Sequence, residues 1–224
     1  MRSREVTSAI VGLLAAWGGT AMLASSVLLP LSHTWPVVTG LLGQLAQWLL
    51  CAAVIGIVLF WEKKPLASLW LRPFQYQSLG WAGVLIAAQI FLVFPATELV
   101  RKSLGLRGYA AGVEMALAFP LWVRILAVIT AGAVEEILFR GYAVTRLAML
   151  TGRLPVAVIL SSAMFAALHL PVWGAGPSLA FFIGGLLTSS FFVWRQDLLA
   201  MIIAHVAIDA WGLLISPGFS RWWA

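Results

Sequence analysis

Charged residues are scarce in this sequence. Asp, Glu, Lys and Arg together make up 10% of its 224 residues, whereas hydrophobic residues make up 62%. Soluble proteins contain about 25% charged and about 45–50% apolar residues. A soluble fold of this size could neither bury so much hydrocarbon nor cover its surface with so few charges, so the composition predicts a membrane protein.

Cysteine is almost absent as well. The single cysteine, Cys51, lies in an apolar run, which excludes a disulfide framework within the chain, a thiolate metal site and CxxC redox chemistry. The net charge is +6, but the 14 basic residues are dispersed between apolar runs and form no patch that would follow a phosphate backbone. We therefore expect no nucleic-acid partner and treat the basic residues as signals of membrane topology.

Long apolar runs account for most of the chain. Since a bilayer core of about 30 Å needs about 20 residues of helix, seven segments are long enough, or nearly so, to cross it. We predict an all-α, multi-pass transmembrane helical bundle of about seven spans that forms a single integral membrane domain over residues 1–224. The predicted spans are residues 9–31, 37–61, 79–97, 121–150, 154–170, 178–194 and 198–216.

Two segments need a separate interpretation. The first span follows Arg2 and Arg4, but its 23 residues exceed the 7–15 apolar residues of a signal peptide, so we expect a retained signal anchor. The connection 98–120 is long and mixed in composition. Its residues 110–119 suggest a surface or re-entrant helix, which would be an eighth helix.

The distribution of Lys and Arg predicts the orientation, because cytoplasmic loops are enriched in both residues. If the N-terminus is cytoplasmic, the inner segments contain eight of them and the outer segments four, which favours a cytoplasmic N-terminus and an outside C-terminus in the cytoplasmic membrane. The inner residues are Arg2, Arg4, Lys63, Lys64, Arg72, Arg146, Arg153 and Arg195, and the outer ones are Arg101, Lys102, Arg107 and Arg221.

A few ionisable residues lie within the predicted spans or at their ends. A central Asp or Arg costs about 2.5–3.5 kcal/mol on insertion scales. Such residues are tolerable if they meet one another, and in membrane spans they commonly mark a functional site. They are Glu135, Glu136 and Arg140 in the fourth span, His169 in the fifth, and His205 and Asp209 in the seventh.

Helical spacing predicts how the acidic pair is used. Glu136 and Arg140 are four residues apart and can form an ion pair along one helix face. On an α-helix Glu135 points about 100° away, toward the face of Phe139 and Tyr142. We therefore expect Glu135 to be the free carboxylate and Tyr142 to line the same cavity.

The histidines can reach the same region. Glu135 and His169 lie at equal sequence distance from residue 152, so an antiparallel hairpin would place them at the same depth. Phe165 precedes His169 by one turn and could hold the imidazole by packing. His205 and Asp209 share a face but lie closer to their own turn, so they reach this depth only if the other hairpin protrudes or tilts.

A free carboxylate, two imidazoles and a second acid in a water-poor site suit general acid–base hydrolysis. Glu135 is the better base, because an acid held by arginine stays ionised and weakly basic. His169 could share the attacking water with Glu135, and His205 could donate to an oxyanion.

Three motifs carry a family resemblance. EEILFRGY at 135–142, FAALH at 165–169 and HVAID at 205–209 resemble the EExxxR, FxxxH and HxxxN/D motifs of the CPBP family. This is the Abi group of intramembrane peptidases, which includes CAAX-type prenyl-protein endopeptidases and proteins linked to bacteriocin processing or immunity. The likeness covers residues 121–216, where all the predicted catalytic motifs lie.

The resemblance implies a glutamate-dependent endopeptidase that cleaves a membrane-tethered or lipid-modified polypeptide. In that reading Glu135 is the base, His169 positions the water, and His205 with Asp209 supports the oxyanion. Glu136 and Arg140 are structural partners. Many family members have Asn at the last position. Asp209 must therefore be protonated, or must orient His205 and hold it cationic, because an ionised carboxylate only accepts hydrogen bonds.

Other functions remain open at this stage. We expect no cofactor, but Glu135, His169 and His205 could bind zinc if the activity depends on a metal. Intramembrane acids and histidines also build proton relays, so a transporter is the alternative function. A non-catalytic immunity or scaffold protein of the same fold is another. The sequence contains no HExxH, GxSG or GxGD motif of other intramembrane proteases, and it gives no oligomeric state.

Overall fold

The computed structural model describes residues 3–24 and 35–215. Within these ranges the chain forms eight helices and no strand, which confirms the all-α, multi-pass bundle. Residues 25–31 of the first predicted span and Ser216 lie outside the described residues. We label the helices α1 (Ser3–Ala24), α2 (Pro36–Trp61), α3 (Tyr76–Ser103), α4 (Ala110–Leu117), α5 (121–151), α6 (Leu154–Trp173), α7 (Ala175–Arg195) and α8 (Leu198–Ile215).

Six of the described helices are long and apolar enough to cross a membrane, namely α1 to α3 and α6 to α8. The fourth predicted span, now α5, differs from them because it contains five charged residues. It is also the central helix, since its middle part contacts α1, α2, α6, α7 and α8. Its charged residues, which therefore face protein on several sides, are Arg124, Glu135, Glu136, Arg140 and Arg146.

Short turns fix how the last four helices follow one another. Gly152 ends α5 with a φ of +67° and Gly174 ends α6 with a φ of +80°, in the left-handed region that glycine adopts without a steric cost. Asp197 caps α8 by accepting a hydrogen bond from the Ala200 amide at 3.1 Å. The same carboxylate accepts from the Ser78 hydroxyl at 2.7 Å, which ties α8 to α3.

The connection between α3 and α5 differs in extent from its prediction. It was expected to begin at Glu98, but α3 continues to Ser103. Glu98 pairs with Arg101 at 2.6 Å and with Lys102 at 3.3 Å, and such pairs one turn apart support a helix. The expected helix within 110–119 is present as α4, which packs against α6 and the end of α8.

The middle of α5 is a π-helix over Ala131–Val144. A π-helix has hydrogen bonds from i to i+5, so each turn holds more residues than the 3.6 of an α-helix. Residues seven positions apart, which share a face of an α-helix, therefore diverge here. π-Helical turns occur frequently at functional sites.

A buried ion pair joins the end of α5 to the end of α2. Arg146 donates to Glu62 at 2.6 Å, and the two side chains are 4% and 2% exposed. Arg146 was expected to act as a topology signal on the inner side. The structure also pairs this arginine with a carboxylate 84 residues away in the sequence.

We predict that Arg146→Met lowers the thermal unfolding midpoint in detergent, because removing one partner of a buried pair leaves an uncompensated charge at a cost of about 3–5 kcal/mol. The double variant Glu62→Leu/Arg146→Met should recover much of this loss. Lys102→Met, which removes an exposed ion-pair partner of Glu98, is the control and should shift the midpoint little. Equal midpoints for Arg146→Met and the control would contradict the expected cost of leaving the buried carboxylate of Glu62 unpaired.

Candidate active site

Three helices bring the candidate residues together inside the bundle. The carboxylate of Glu135 interacts electrostatically with His169, His205, Asp209 and Arg140. The side chains of Glu135 and His205 are 17% and 18% exposed, so both border accessible space. Glu136 and Arg140 are only 1% and 3% exposed. The acid next to the accessible space is therefore Glu135, and the enclosed acid is Glu136.

Glu136 holds two partners with one oxygen. Its Oε1 accepts a hydrogen bond from Arg140 at 2.9 Å along α5 and another from His205 Nδ1 at 2.8 Å across to α8. Because a carboxylate oxygen in this ion pair accepts, His205 Nδ1 carries the donated proton. The i,i+4 spacing predicts the first contact. The second was missed, because it depends on how α8 packs on α5.

The other ring nitrogen of His205 lies between two carboxylates. Its Nε2 is 3.5 Å from Asp209 Oδ2 and 3.8 Å from Glu135 Oε2. These separations are longer than a good direct hydrogen bond but short enough for strong charge attraction. The hydrogen bond that orients His205 therefore comes from Glu136. The motif resemblance had left two roles for Asp209, of which orienting His205 was one.

His169 has a defined tautomer. Its Nδ1 lies 2.7 Å from the Phe165 carbonyl oxygen, which can only accept, so Nδ1 donates. The proton on Nδ1 leaves Nε2 as the nitrogen available for chemistry. The expected packing of Phe165 is also present, since its ring centroid is 4.5 Å from that of His169. Phe165 thus positions the imidazole through both its backbone and its ring.

Arg140 is held on more than one side. Its guanidinium carbon lies 4.5 Å from the centroid of the Phe165 ring, a cation–π contact. On α7, Gly185 lies beside the guanidinium, since a Cβ there would be in van der Waals contact with Nη2 at 3.6 Å. Arg140 therefore links α5, α6 and α7 around Glu136.

A glycine allows α8 to approach α5 closely enough for His205 to reach Glu136. A Cβ on Gly132 would lie 3.0 Å from the backbone nitrogen of Val206, closer than side chains normally approach. Gly132 lies one turn before Glu136, and Val206 directly follows His205.

Aromatic residues form one side of the site. We call Tyr109, Phe165, Trp173 and Phe181 the aromatic cluster. The ring of Phe181 lies 4.7 Å from that of His169, and Tyr109 and Trp173 pack on Phe181 at 6.1 and 5.8 Å. Burial raises the pKa of Tyr109 to about 12, so its phenol stays neutral. The surface beside His169 is therefore apolar and uncharged.

Tyr142 lies in a different cluster from the one expected. Its hydroxyl is 3.2 Å from Glu62 Oε1 and donates to the Ser8 carbonyl at 3.3 Å. Its ring also packs against Gly12 of α1. The shared face with Glu135 was derived for an α-helix, and the π-helical segment turns Tyr142 toward α1 and α2 instead.

The metal alternative can be compared with the geometry. Within residues 3–24 and 35–215, no three His, Cys, Asp or Glu side chains are arranged to hold a metal ion. Glu135, His169 and His205 are near one another without forming such a set.

The fold and the site define a multi-pass membrane protein whose polar centre is built by α5, α6 and α8. Residues 117–211 match the family model of the Rce1-like type II CAAX prenyl endopeptidases. This match confirms the resemblance to CAAX-type proteases that the three motifs gave. No curated protein and no solved structure matches the chain.

We predict that Arg140→Ala lowers the yield of folded protein before it alters chemistry, because it leaves the buried carboxylate of Glu136 without its cation. The yield of monodisperse protein in detergent is the measurement. Arg153→Ala, at an exposed arginine in the turn before α6, is the matched control. A variant at Arg140 that is fully stable yet inactive would argue for a direct chemical role.

Proposed function

We propose that this protein is a glutamate-dependent intramembrane endopeptidase. It hydrolyses a peptide bond in a membrane-tethered or lipid-modified polypeptide, near one terminus of that chain. The family match over residues 117–211 supports protease activity. The observation that carries the mechanism is the bond from His205 Nδ1 to Glu136, because it leaves His205 Nε2 next to the accessible carboxylate of Glu135.

Glu135 acts as the general base in this mechanism. It removes a proton from a water molecule as the water oxygen attacks the carbonyl carbon of the scissile bond. The resulting tetrahedral species collapses when the carbon–nitrogen bond breaks, and the proton on Glu135 passes to the leaving amine. Glu136 is unsuited to this role, since it is 1% exposed and already accepts from Arg140 and His205.

The two histidines interact with different atoms of the reaction, His169 with the attacking water and His205 with the oxyanion. His169 presents Nε2 to the attacking water, because its Nδ1 proton is held by the Phe165 carbonyl. His205 in its protonated form donates from Nε2 to the developing oxyanion. Asp209 at 3.5 Å supports that positive charge, which accounts for an acid at a position where relatives often have Asn.

The substrate enters along the apolar side of the site. The aromatic cluster beside His169 is suited to an apolar or lipid-modified segment and offers no charge to a polar one. We place the protein in the cytoplasmic membrane with its N-terminus inside, because Lys and Arg are concentrated on that side of the predicted topology.

Glu135→Gln should abolish cleavage while preserving the fold, since the amide keeps the size of the side chain and cannot act as a base. Comparative proteomics of membrane fractions should show an uncut polypeptide that accumulates in the variant. Glu114→Gln removes the same charge from an exposed position of α4 and should cleave normally. If no polypeptide accumulates and a proton flux is lost instead, the protein is a transporter or proton relay.

We expect cleavage in detergent to persist in the presence of a strong zinc chelator, because the base and the oxyanion donor are side chains of the protein. The uncut polypeptide found with Glu135→Gln would be the substrate, and the fraction cleaved would be measured. Loss of cleavage that added zinc restores would favour a metal held by Glu135, His169 and His205.

A further inference from the structure

A cavity lies away from the candidate active site, where α2 and α5 end and α6 begins. Its volume is about 370 Å³. Its lining includes the polar residues Lys64, Ser68 and Arg146, which we call its polar side, and the apolar residues Trp70, Met149 and Leu154, which we call its apolar side. A cavity with this division fits an amphiphile better than a fully polar or fully apolar molecule.

All three guanidinium nitrogens of Arg146 donate hydrogen bonds to protein groups. Its Nε and Nη2 both donate to the Glu62 carboxylate, and Nη2 also donates to the Ser68 hydroxyl at 3.2 Å. Its Nη1 donates to the Ser68 carbonyl at 3.3 Å and to the Thr145 hydroxyl at 3.0 Å. The charge of Arg146 is neutralised by Glu62. This arginine therefore shapes the cavity, and any anion must be held by other groups.

Lys64 is a cation of this cavity, and no carboxylate in the described part of the chain pairs with it. Its Nζ contacts Met149 Sδ at 3.8 Å, and no acidic side chain in the described part of the chain lies within ion-pair distance of it. A half-buried ammonium beside a weak sulfur acceptor is poorly solvated and attracts an anion. The Ser68 hydroxyl accepts from Arg146, so its own proton can be donated to the same anion.

The apolar side of the cavity continues to the surface of the bundle. Leu154 is 45% exposed at the start of α6. Trp70 packs on Phe192 with ring centroids 4.7 Å apart, which fixes the indole at the cavity. An acyl chain can therefore leave the cavity along Leu154 toward the hydrocarbon of the membrane.

We propose that this cavity binds an anionic phospholipid, with its phosphate between the Lys64 ammonium and the Ser68 hydroxyl and an acyl chain along Trp70 and Leu154. Lys63, Arg72 and Arg153 lie in the loops at the same end of the bundle. This is the end predicted to be cytoplasmic, where anionic lipids are enriched and basic pockets between helices bind their headgroups.

The test is native mass spectrometry of detergent-purified protein after incubation with phosphatidylglycerol or phosphatidylcholine. We expect the wild type to retain phosphatidylglycerol preferentially, and Lys64→Gln to reduce that retention about fivefold, in line with one Lys–headgroup interaction. Lys63→Gln removes the same charge from an exposed neighbour that does not line the cavity, and it should retain the lipid like the wild type.

Three outcomes would overturn the proposal. If Lys64→Gln and Lys63→Gln reduce the retention of phosphatidylglycerol equally, the lipid is held only by general attraction to the basic surface. Equal retention of both lipids by the wild type would show that the charge of the headgroup does not determine binding. Stabilisation by inorganic phosphate as large as that by the lipid, measured by thermal unfolding, would identify a soluble phosphate as the ligand.

A second variant tests the apolar side independently. Leu154→Gln changes an exposed side chain and should leave the unfolding midpoint of the lipid-free protein unchanged. It should weaken retention of phosphatidylglycerol by removing the apolar exit for the acyl chain. Unchanged retention in this variant would contradict the proposed path of the chain. Neither variant touches the candidate active site, so the outcome is separate from that of the protease proposal.

Discussion

The structure depends on one carboxylate oxygen. Glu136 Oε1 is shared by Arg140 on its own helix and by His205 on α8, and Glu136 and Arg140 are almost fully buried. A charge inside a membrane protein is tolerable only when protein groups replace water around it. This requirement explains why α5 lies at the centre of the bundle, and why Gly132 allows α8 to pack closely against it.

The same contact gives the two consecutive glutamates different properties. Glu136 accepts hydrogen bonds from Arg140 and from Nδ1 of His205, so both of these donors are engaged by Glu136. Glu135 retains an accessible carboxylate, with His205 Nε2 at 3.8 Å. One acid therefore fixes the positions of the cation and the imidazole, and this leaves its neighbour free for proton transfer.

Sequence reasoning predicts what is local and misses what depends on packing. Composition predicts the helical membrane bundle, and spacing predicts the pair of Glu136 and Arg140. The bond of Glu136 to His205 joins residues 69 positions apart, and no periodicity indicates it. The pair of Glu62 and Arg146 is missed for the same reason. Tyr142 is misplaced because the α-helical period assumed for α5 is replaced by π-helical turns.

Both polar clusters of α5 follow the same physical logic. In each, a carboxylate and an arginine neutralise each other in a nearly solvent-free setting, with Glu136 and Arg140 in the middle of the helix and Glu62 and Arg146 near its end. Such pairs contribute little net stability, because desolvation offsets much of their attraction. They do fix the neighbouring groups in place. The groups left without a full partner, Glu135 in one cluster and Lys64 in the other, face accessible space. We therefore expect function at the charged group beside each buried pair, because the charge of Glu135 or Lys64 can interact with a molecule that enters from outside the protein.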